Sequence, residues 1–219
     1  MAKAIIFDLD GTLADSSECV VQSAQQVAQA AGLRTVSDED IRQRIGEPLG
    51  PMLAALFGVS GDQLDGLTRA YSETYVRLTK TLERPFPESI GMLQRLRERG
   101  WQLAIATGKS QNGAENATRR MGLAPLFDGI HGILPGTPGK PDPAVLRRAL
   151  ADLGVAPAEA IMVGDTTFDL DMAAALSVPA IGVSWGVHAT EVLQGRSPSG
   201  LVWTMGELEV ALNHRFTGA

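Results

Sequence analysis

From residue 88 to the end, helical patterns alternate with short apolar runs, and this alternation constrains the fold more than any other feature of the sequence. The spacing predicts helices over residues 88–99, 110–121, 142–153, 168–176 and 207–214. Strands are predicted over 102–106, 129–134, 160–163, 179–183 and 201–204. Helix and strand in strict turn imply an α/β protein with a doubly wound, mostly parallel sheet.

The first strand comes earlier, at Ala4-Ile5-Ile6-Phe7, and it runs into Asp8-Leu9-Asp10-Gly11-Thr12. Asp10-Gly11 is strong turn punctuation, so two carboxylates fall at the carboxyl end of a buried strand, the edge where open α/β sheets bind ligands. Side chains alternate along a strand, so Asp8 and Asp10 should point to one side with Leu9 turned away. Acids that close tolerate each other only with a cation between them or a proton on one. A hairpin would explain Asp10-Gly11 more simply, but no second alternating strand follows Thr12.

Residues 15–84 read as helical throughout. Asp15 with Glu18 has the form of a capping box, Ser37 and Ser60 are further caps, and Leu64, Leu67, Tyr71, Tyr75, Leu78 and Leu82 make a long amphipathic stripe. Pro85-Phe86-Pro87 is a stiff connector back to the alternating region. The division is therefore an α/β core of residues 1–14 and 85–219, with an all-helical insertion of residues 15–84. Two short tethers suggest a cap that closes over the strand ends.

Three further stretches lie at strand ends. Thr107-Gly108-Lys109-Ser110 brings a hydroxyl and backbone N–H groups to a helix start, which suits an anion, although Thr-Gly also joins strand to helix for geometry alone. Lys140 stands in the frame Gly139-Lys140-Pro141-Asp142-Pro143, either solvated or aimed at a partner. Gly164-Asp165-Thr166-Thr167-Phe168-Asp169 is a second acidic strand end, in which Asp169 either shares a helical face with Asp165 or caps the helix.

Composition narrows the chemistry. A net charge of -6 across 219 residues gives no general attraction to nucleic acid or anionic lipid, so an anionic substrate needs a local cation. Cys19 is the single cysteine, which excludes an intrachain disulfide and is read as a small buried hydrophobe. Met1-Ala2-Lys3 leads straight into the first strand and no apolar run has membrane-spanning length, so a cytoplasmic location is expected. His131, His188 and His214 fall in no metal-ligand spacing and are read as surface or loop residues. Arg119 and Arg120 are read as a solvated helix end, and Trp185 as packing or as the rim of the site.

Taken in order, Asp8-Leu9-Asp10-Gly11-Thr12, Thr107-Gly108, Lys140-Pro141 and Gly164-Asp165-Thr166 with Asp169 resemble the motifs of the haloacid dehalogenase superfamily of phosphohydrolases. The resemblance covers essentially the whole chain. It implies a Rossmann-like core with a small helical cap after the first strand. Asp8 would be the nucleophile forming an aspartyl-phosphate, and Asp10 the acid that protonates the leaving alcohol and later the base that activates water. Thr107 would bind a phosphoryl oxygen with Gly11 and Gly108 beside it, and Lys140 would neutralise nucleophile and phosphate. Mg²⁺ would sit on Asp8, Asp165 and the backbone carbonyl of Asp10, with Asp169 in support.

Within that family the chain is most similar to phosphoglycolate phosphatases, which implies a small phosphorylated metabolite as partner. The cap loop Gly46-Glu47-Pro48-Leu49 would close near the substrate. An acid there sits awkwardly with a carboxylate-bearing substrate, so Glu47 either faces solvent or pairs with Arg44, or Arg42 or Arg44 meets the substrate instead. A mutase of the β-phosphoglucomutase kind and a pyrophosphatase share the same aspartates, and Thr12 favours the phosphatase over the mutase. A dehalogenase would not need Asp10. A receiver domain that is phosphorylated without turnover is the reading from another class, and Asp165 and the helical insertion count against it.

Overall fold

The computed structural model describes residues 4–216. The sheet contains six strands: β1 (Ala4–Phe7), β4 (Gln102–Ser110), β5 (Gly129–Ile133), β6 (Ala160–Gly164), β7 (Ala180–Val183) and β8 (Gly200–Val202). Their order is β5-β4-β1-β6-β7-β8, and every pairing between them is parallel. The first strand in sequence is thus central, which is why it reads as an unbroken apolar run with both faces covered.

Alternation along β1 feeds two cores. Ile5 and Phe7 pack with Met92, Leu93 and Leu96 of α5 (Ser89–Glu98) and with Leu208 and Leu212 of α10 (Met205–Phe216). Ala4 and Ile6 face the other way, onto Val145, Leu146 and Ala149 of α7 (Ala144–Leu153) and Leu170 and Ala173 of α8 (Thr167–Ala174). Each such leucine removed from water contributes about 1.5–3 kcal/mol. The remaining sheet helices are α6 (Gln111–Arg120) and a short α9 (Thr190–Gln194) that the sequence pattern does not announce.

Between β1 and α5 lie α1 (Ser17–Ala30), α2 (Asp38–Arg42), α3 (Leu49–Phe57) and α4 (Gly61–Leu82). They bury a cluster of their own, including Val20, Ala24, Ile41, Leu53, Leu67 and Tyr71. Ser37 caps α2 as expected, accepting from the Asp40 N–H at 3.1 Å.

The predicted box of Asp15 and Glu18 does not form. Asp15 belongs instead to β2 (Ala14–Asp15), which pairs antiparallel with β3 (Arg84–Pro85), and α1 begins only at Ser17. The segments entering and leaving the helices are thus bonded to each other as a two-stranded ribbon. Two-residue strands carry no periodicity, so they exist only through that pairing. Ser60 stands at the start of α4 without a side-chain cap bond. No helix among the described residues is long and apolar enough to cross a membrane. Residues 1–3 and the side chain of His214 lie outside the described residues.

Candidate active site

Parallel register builds the site. Phe7 lies beside Ile105 on one neighbour and Val163 on the other, and the Asp8 N–H donates to the Val163 carbonyl at 2.8 Å. Asp8 and Asp165, just past the ends of β1 and β6, and Thr107, two residues beyond Ile105 within β4, therefore arrive together and are all buried. Lys140, from the loop before α7, completes the group. Its Nζ lies 2.7 Å from Asp8 Oδ1 and 2.6 Å from Asp169 Oδ1, and the residue is only 3% exposed. The framed lysine is aimed inward.

The electrostatics follow from burial. Loss of water pushes the Asp8 carboxyl up to about 7, with Lys140 pulling it down and Asp169 and Asp10 pushing it further up. Burial, then Asp8 and Asp169, hold the Asp165 carboxyl well above the usual range, against the hydrogen bonds it receives. Burial opposes the charge on Lys140, but Asp169 and Asp8 outweigh it and raise its affinity for its proton.

Asp165 is clamped from both sides: Thr12 Oγ1 donates to Oδ1 at 2.7 Å and the Val187 N–H donates to Oδ2 at 2.9 Å. Gly11, at φ +80°, and Gly186 flank it, and a Cβ on either would come within 2.2 Å of Asp165 atoms. Asp169 is the third helical residue of a capping box, its Oδ2 accepting from the Thr166 N–H at 3.1 Å and hydroxyl at 2.7 Å. Thr166, not Asp169, is the cap, and Asp165 precedes the helix rather than sharing a face of it with Asp169, so the expected placement of Asp169 is corrected: it closes the capping box from the third helical position.

One carboxylate oxygen each from Asp8, Asp165 and Asp169 lie within 4.8 Å of one another. Buried hard oxygens set this close repel each other and fit a hard divalent cation. Mg²⁺, which the sequence motifs imply, matches that donor set.

Asp10 has a different partner. It pairs with Lys109 at 2.9 Å and accepts from the Ser16 hydroxyl. The two acids of the first strand end each have a lysine of their own. Lys109 also reaches Glu83 at 3.2 Å and the Tyr75 hydroxyl, and Glu83, fully buried, pairs with Arg120. Burial works against the Lys109 charge, but Asp10, Tyr75 and Glu83 hold its affinity for the proton well above the ordinary value. Sequence reasoning passed over Lys109, Tyr75 and Glu83, and placed Arg120 in solvent. The signal available was the position of Lys109 two residues past Thr107, on a β4 that runs on to Ser110.

The loop between α2 and α3 lies over these strand ends. A Cβ on Gly46 would sit 3.1 Å from the Phe168 ring and 3.4 Å from Thr166 Cγ2, and one on Gly139 would sit 3.0 Å from Pro48. Gly108 faces the Gly46 carbonyl. Glu47, between Gly46 and Pro48, takes the Nη1 of Arg44 on both oxygens, at 2.9 and 3.2 Å, which decides between the alternatives left open for it. His188 is no free loop residue: its Nδ1 accepts from the Thr167 N–H at 3.1 Å. His131, expected at the surface, is buried at 3% exposure, and Trp185 packs on the core while donating to the Thr12 carbonyl at 3.1 Å. A cleft of about 380 Å³ opens beside Gly11, Ser16, Arg42 and Trp185.

A parallel sheet with an acid cluster and an opposed lysine at its carboxyl edge defines a doubly wound α/β protein with a charged site at the strand ends. Residues 5–183 match the model of the family described as haloacid dehalogenase-like hydrolase, and the chain belongs to that family. It is 32% identical over 212 residues to "Probable phosphatase IndB" of Dickeya dadantii, covering 95% of this chain and 92% of that one. With the pyrophosphatase PpaX of Bacillus velezensis it shares 29% identity over 94% of both chains. With the phosphoglycolate phosphatase of Rhodospirillum rubrum it shares 31%, over 85% of this chain and 81% of that one. The solved structure of a haloacid dehalogenase-like hydrolase from Streptococcus pneumoniae superposes with a TM-score of 0.89 at 28% identity, covering 96% and 98% of the two chains.

Proposed function

We propose that this chain is a Mg²⁺-dependent phosphatase that hydrolyses small phosphomonoesters through an aspartyl-phosphate on Asp8. The observation that carries the reading is the Lys140 ammonium held between Asp8 and Asp169 inside a buried three-acid cluster. Such a centre presents one ammonium and a set of hard oxygens that would hold a divalent cation, the two positive charges with which an otherwise acidic protein would receive a phosphate.

Asp8 attacks phosphorus through a carboxylate oxygen. The new P–O bond forms as the bond to the alcohol oxygen breaks, and Asp10 gives that oxygen its proton. Asp10 then takes a proton from water, which attacks the same phosphorus, breaks the bond to Asp8 and frees phosphate. Lys140 offsets the charge of nucleophile and phosphoryl group, and Thr107 with the backbone at Gly108 and Gly11 orients the oxygens. Asp8, Asp165 and the Asp10 carbonyl would hold the metal. Asp169, whose two oxygens are committed to Lys140 and Thr166, supports them. When bound, Mg²⁺ supplies positive charge to the phosphoryl oxygens. Monoester hydrolysis without a catalyst is among the slowest of reactions, and rate gains approaching about 10²¹-fold come mainly from such positioning and neutralisation.

We assign residues 15–84 the role of a cap, on the strength of the ribbon at its base and the seating of Gly46 and Pro48 on the core loops. Phosphoglycolate is one candidate substrate of this class, and pyrophosphate is the anhydride alternative.

Phosphate release from p-nitrophenyl phosphate should require Mg²⁺ and stop on adding EDTA. Asp8→Asn should abolish both turnover and acid-stable labelling of the protein by [³²P]phosphoester. Asp10→Asn should lower kcat by about 10²–10⁴-fold. Labelling without turnover in the unaltered protein would make it a receiver, and full turnover in Asp10→Asn would remove that residue from the proton path.

A further inference from the structure

The charges on the leaving-group side of the site are already matched, and the matching selects a substrate. Lys109 has three N–H donors, and Asp10, Glu83 and the Tyr75 hydroxyl take one each. Lys140 is shared between Asp8 and Asp169. Arg44, on the loop seated over the strand ends, is neutralised by Glu47 at 2.9 Å, and Arg42 by Glu18 at 3.2 Å.

We infer that Glu47, by holding Arg44, restricts the enzyme to phosphomonoesters whose alcohol portion carries no charge, such as those of glycerol or another polyol. This rests on the phosphatase reading above and narrows it.

The reason is electrostatic. The transferring phosphoryl group meets Lys140, which the acid cluster orients for it. A second anionic group on the substrate, a carboxylate or another phosphate, would lie on the side of Asp10 and Glu47. It would find a cation only by drawing Lys109 from Asp10 and Glu83, or Arg44 from Glu47. Drawing Lys109 away would strand Asp10 and the buried Glu83, which is costly, whereas the half-exposed Arg44 would come away more cheaply but leave the Glu47 carboxylate un-neutralised beside the incoming anion. An uncharged polyol makes no such demand, because hydroxyls can exchange hydrogen bonds with Ser16, Tyr75 and backbone groups without displacing an ion pair. Discrimination here comes from a repulsive element, the Glu47 carboxylate, as much as from any attraction.

The test is the specificity constant for glycerol 3-phosphate, phosphoglycolate and pyrophosphate in the unaltered protein and two variants. Glycerol 3-phosphate should lead phosphoglycolate and pyrophosphate by at least about tenfold in kcat/KM. Glu47→Gln frees Arg44 and should shrink the lead over phosphoglycolate about tenfold, whereas Arg44→Gln should widen it. Each ratio is measured within one preparation, so loss of folded protein cancels, and a merely structural role for the pair would not move the ratio in opposite directions. A lead for phosphoglycolate or pyrophosphate, or a ratio shifted the same way or not at all by the two variants, overturns the inference and leaves the phosphatase reading standing. Release of phosphate from none of these substrates nor from p-nitrophenyl phosphate overturns both.

Discussion

A buried ionisable side chain must find an opposite charge, share a cation or give up its charge, and single residues here take each course. Asp8 and Asp10 have separate lysines, the acid cluster fits a divalent ion, and His131 stays neutral. Burial lowers the His131 pKa, with Arg148 adding to the effect and Asp152, 3.7 Å away, opposing it. Its Nε2 has no hydrogen-bond partner. The unfolded chain therefore takes up a proton below about pH 6.5 that the folded chain resists. Stability should be unaffected by this group above that pH and fall as the pH drops below it. The raised carboxyls of Asp8 and Asp165 act in the opposite sense over this range, so the difference is what isolates the histidine: the thermal midpoint of His131→Leu relative to the unaltered protein should rise as the pH goes from 7.5 to 5.5, and a constant difference would remove His131 from the pH dependence. His188, its pKa lowered chiefly by burial as well, acts in the same sense as His131 and is common to both proteins. At this scale the sequence disclosed Asp8, Lys140, Asp165 and Asp169, because strand ends and a Pro/Gly frame mark them locally. Lys109 and Glu83 were hidden, since their roles arise only when segments far apart in the chain meet.

Among the elements, β4 and the two-stranded ribbon depend on each other through those hidden residues. Lys109 extends from the end of β4 to Glu83, just before β3, and to Tyr75 on α4. Lys109→Met would leave Asp10 and buried Glu83 facing each other with less cation between them. Breaking such a buried pair from one side costs about 3–5 kcal/mol. The thermal midpoint should drop sharply, and adding Glu83→Gln should recover a large part of the loss. Strictly additive losses in this double-mutant cycle would mean that the pair is not coupled. The sheet strands were legible because central parallel strands are apolar throughout, whereas β2 and β3 were not, because nothing in two residues distinguishes a strand from a linker. The run from 102 to 106 was read short: β4 continues through the polar Thr107-Gly108-Lys109-Ser110, where apolar pattern gives no guide.

For the molecule as a whole, the acid cluster joins the first strand to segments beyond residue 139, so the site exists only once the sheet is complete. A cation that binds there binds the folded state alone and should stabilise it, by about 2.7 kcal/mol at a concentration one hundred times its Kd. Mg²⁺ titrated into metal-free protein should raise the thermal midpoint with saturation. Asp165→Asn should flatten that response, and a midpoint indifferent to Mg²⁺ in the unaltered protein would count against a resident ion. The fold class was readable from alternation alone, since few architectures accept strands and helices in strict turn. The seating of the helices over the strand ends was not, because it rests on contacts such as Gly46 against Phe168 and Pro48 against Gly139.

Because Ala14 pairs with Pro85 and Asp15 with Arg84, the chain departs from the sheet and rejoins it at a single spot. Apart from Ser16, Tyr75 and Glu83, which reach Asp10 or its lysine, the residues between those points can lengthen, shorten or exchange without shifting Asp8 relative to Asp165. Under the function proposed above, new preferences for the alcohol half of a substrate would accumulate in one stretch of sequence and leave the acids of the strand ends in place.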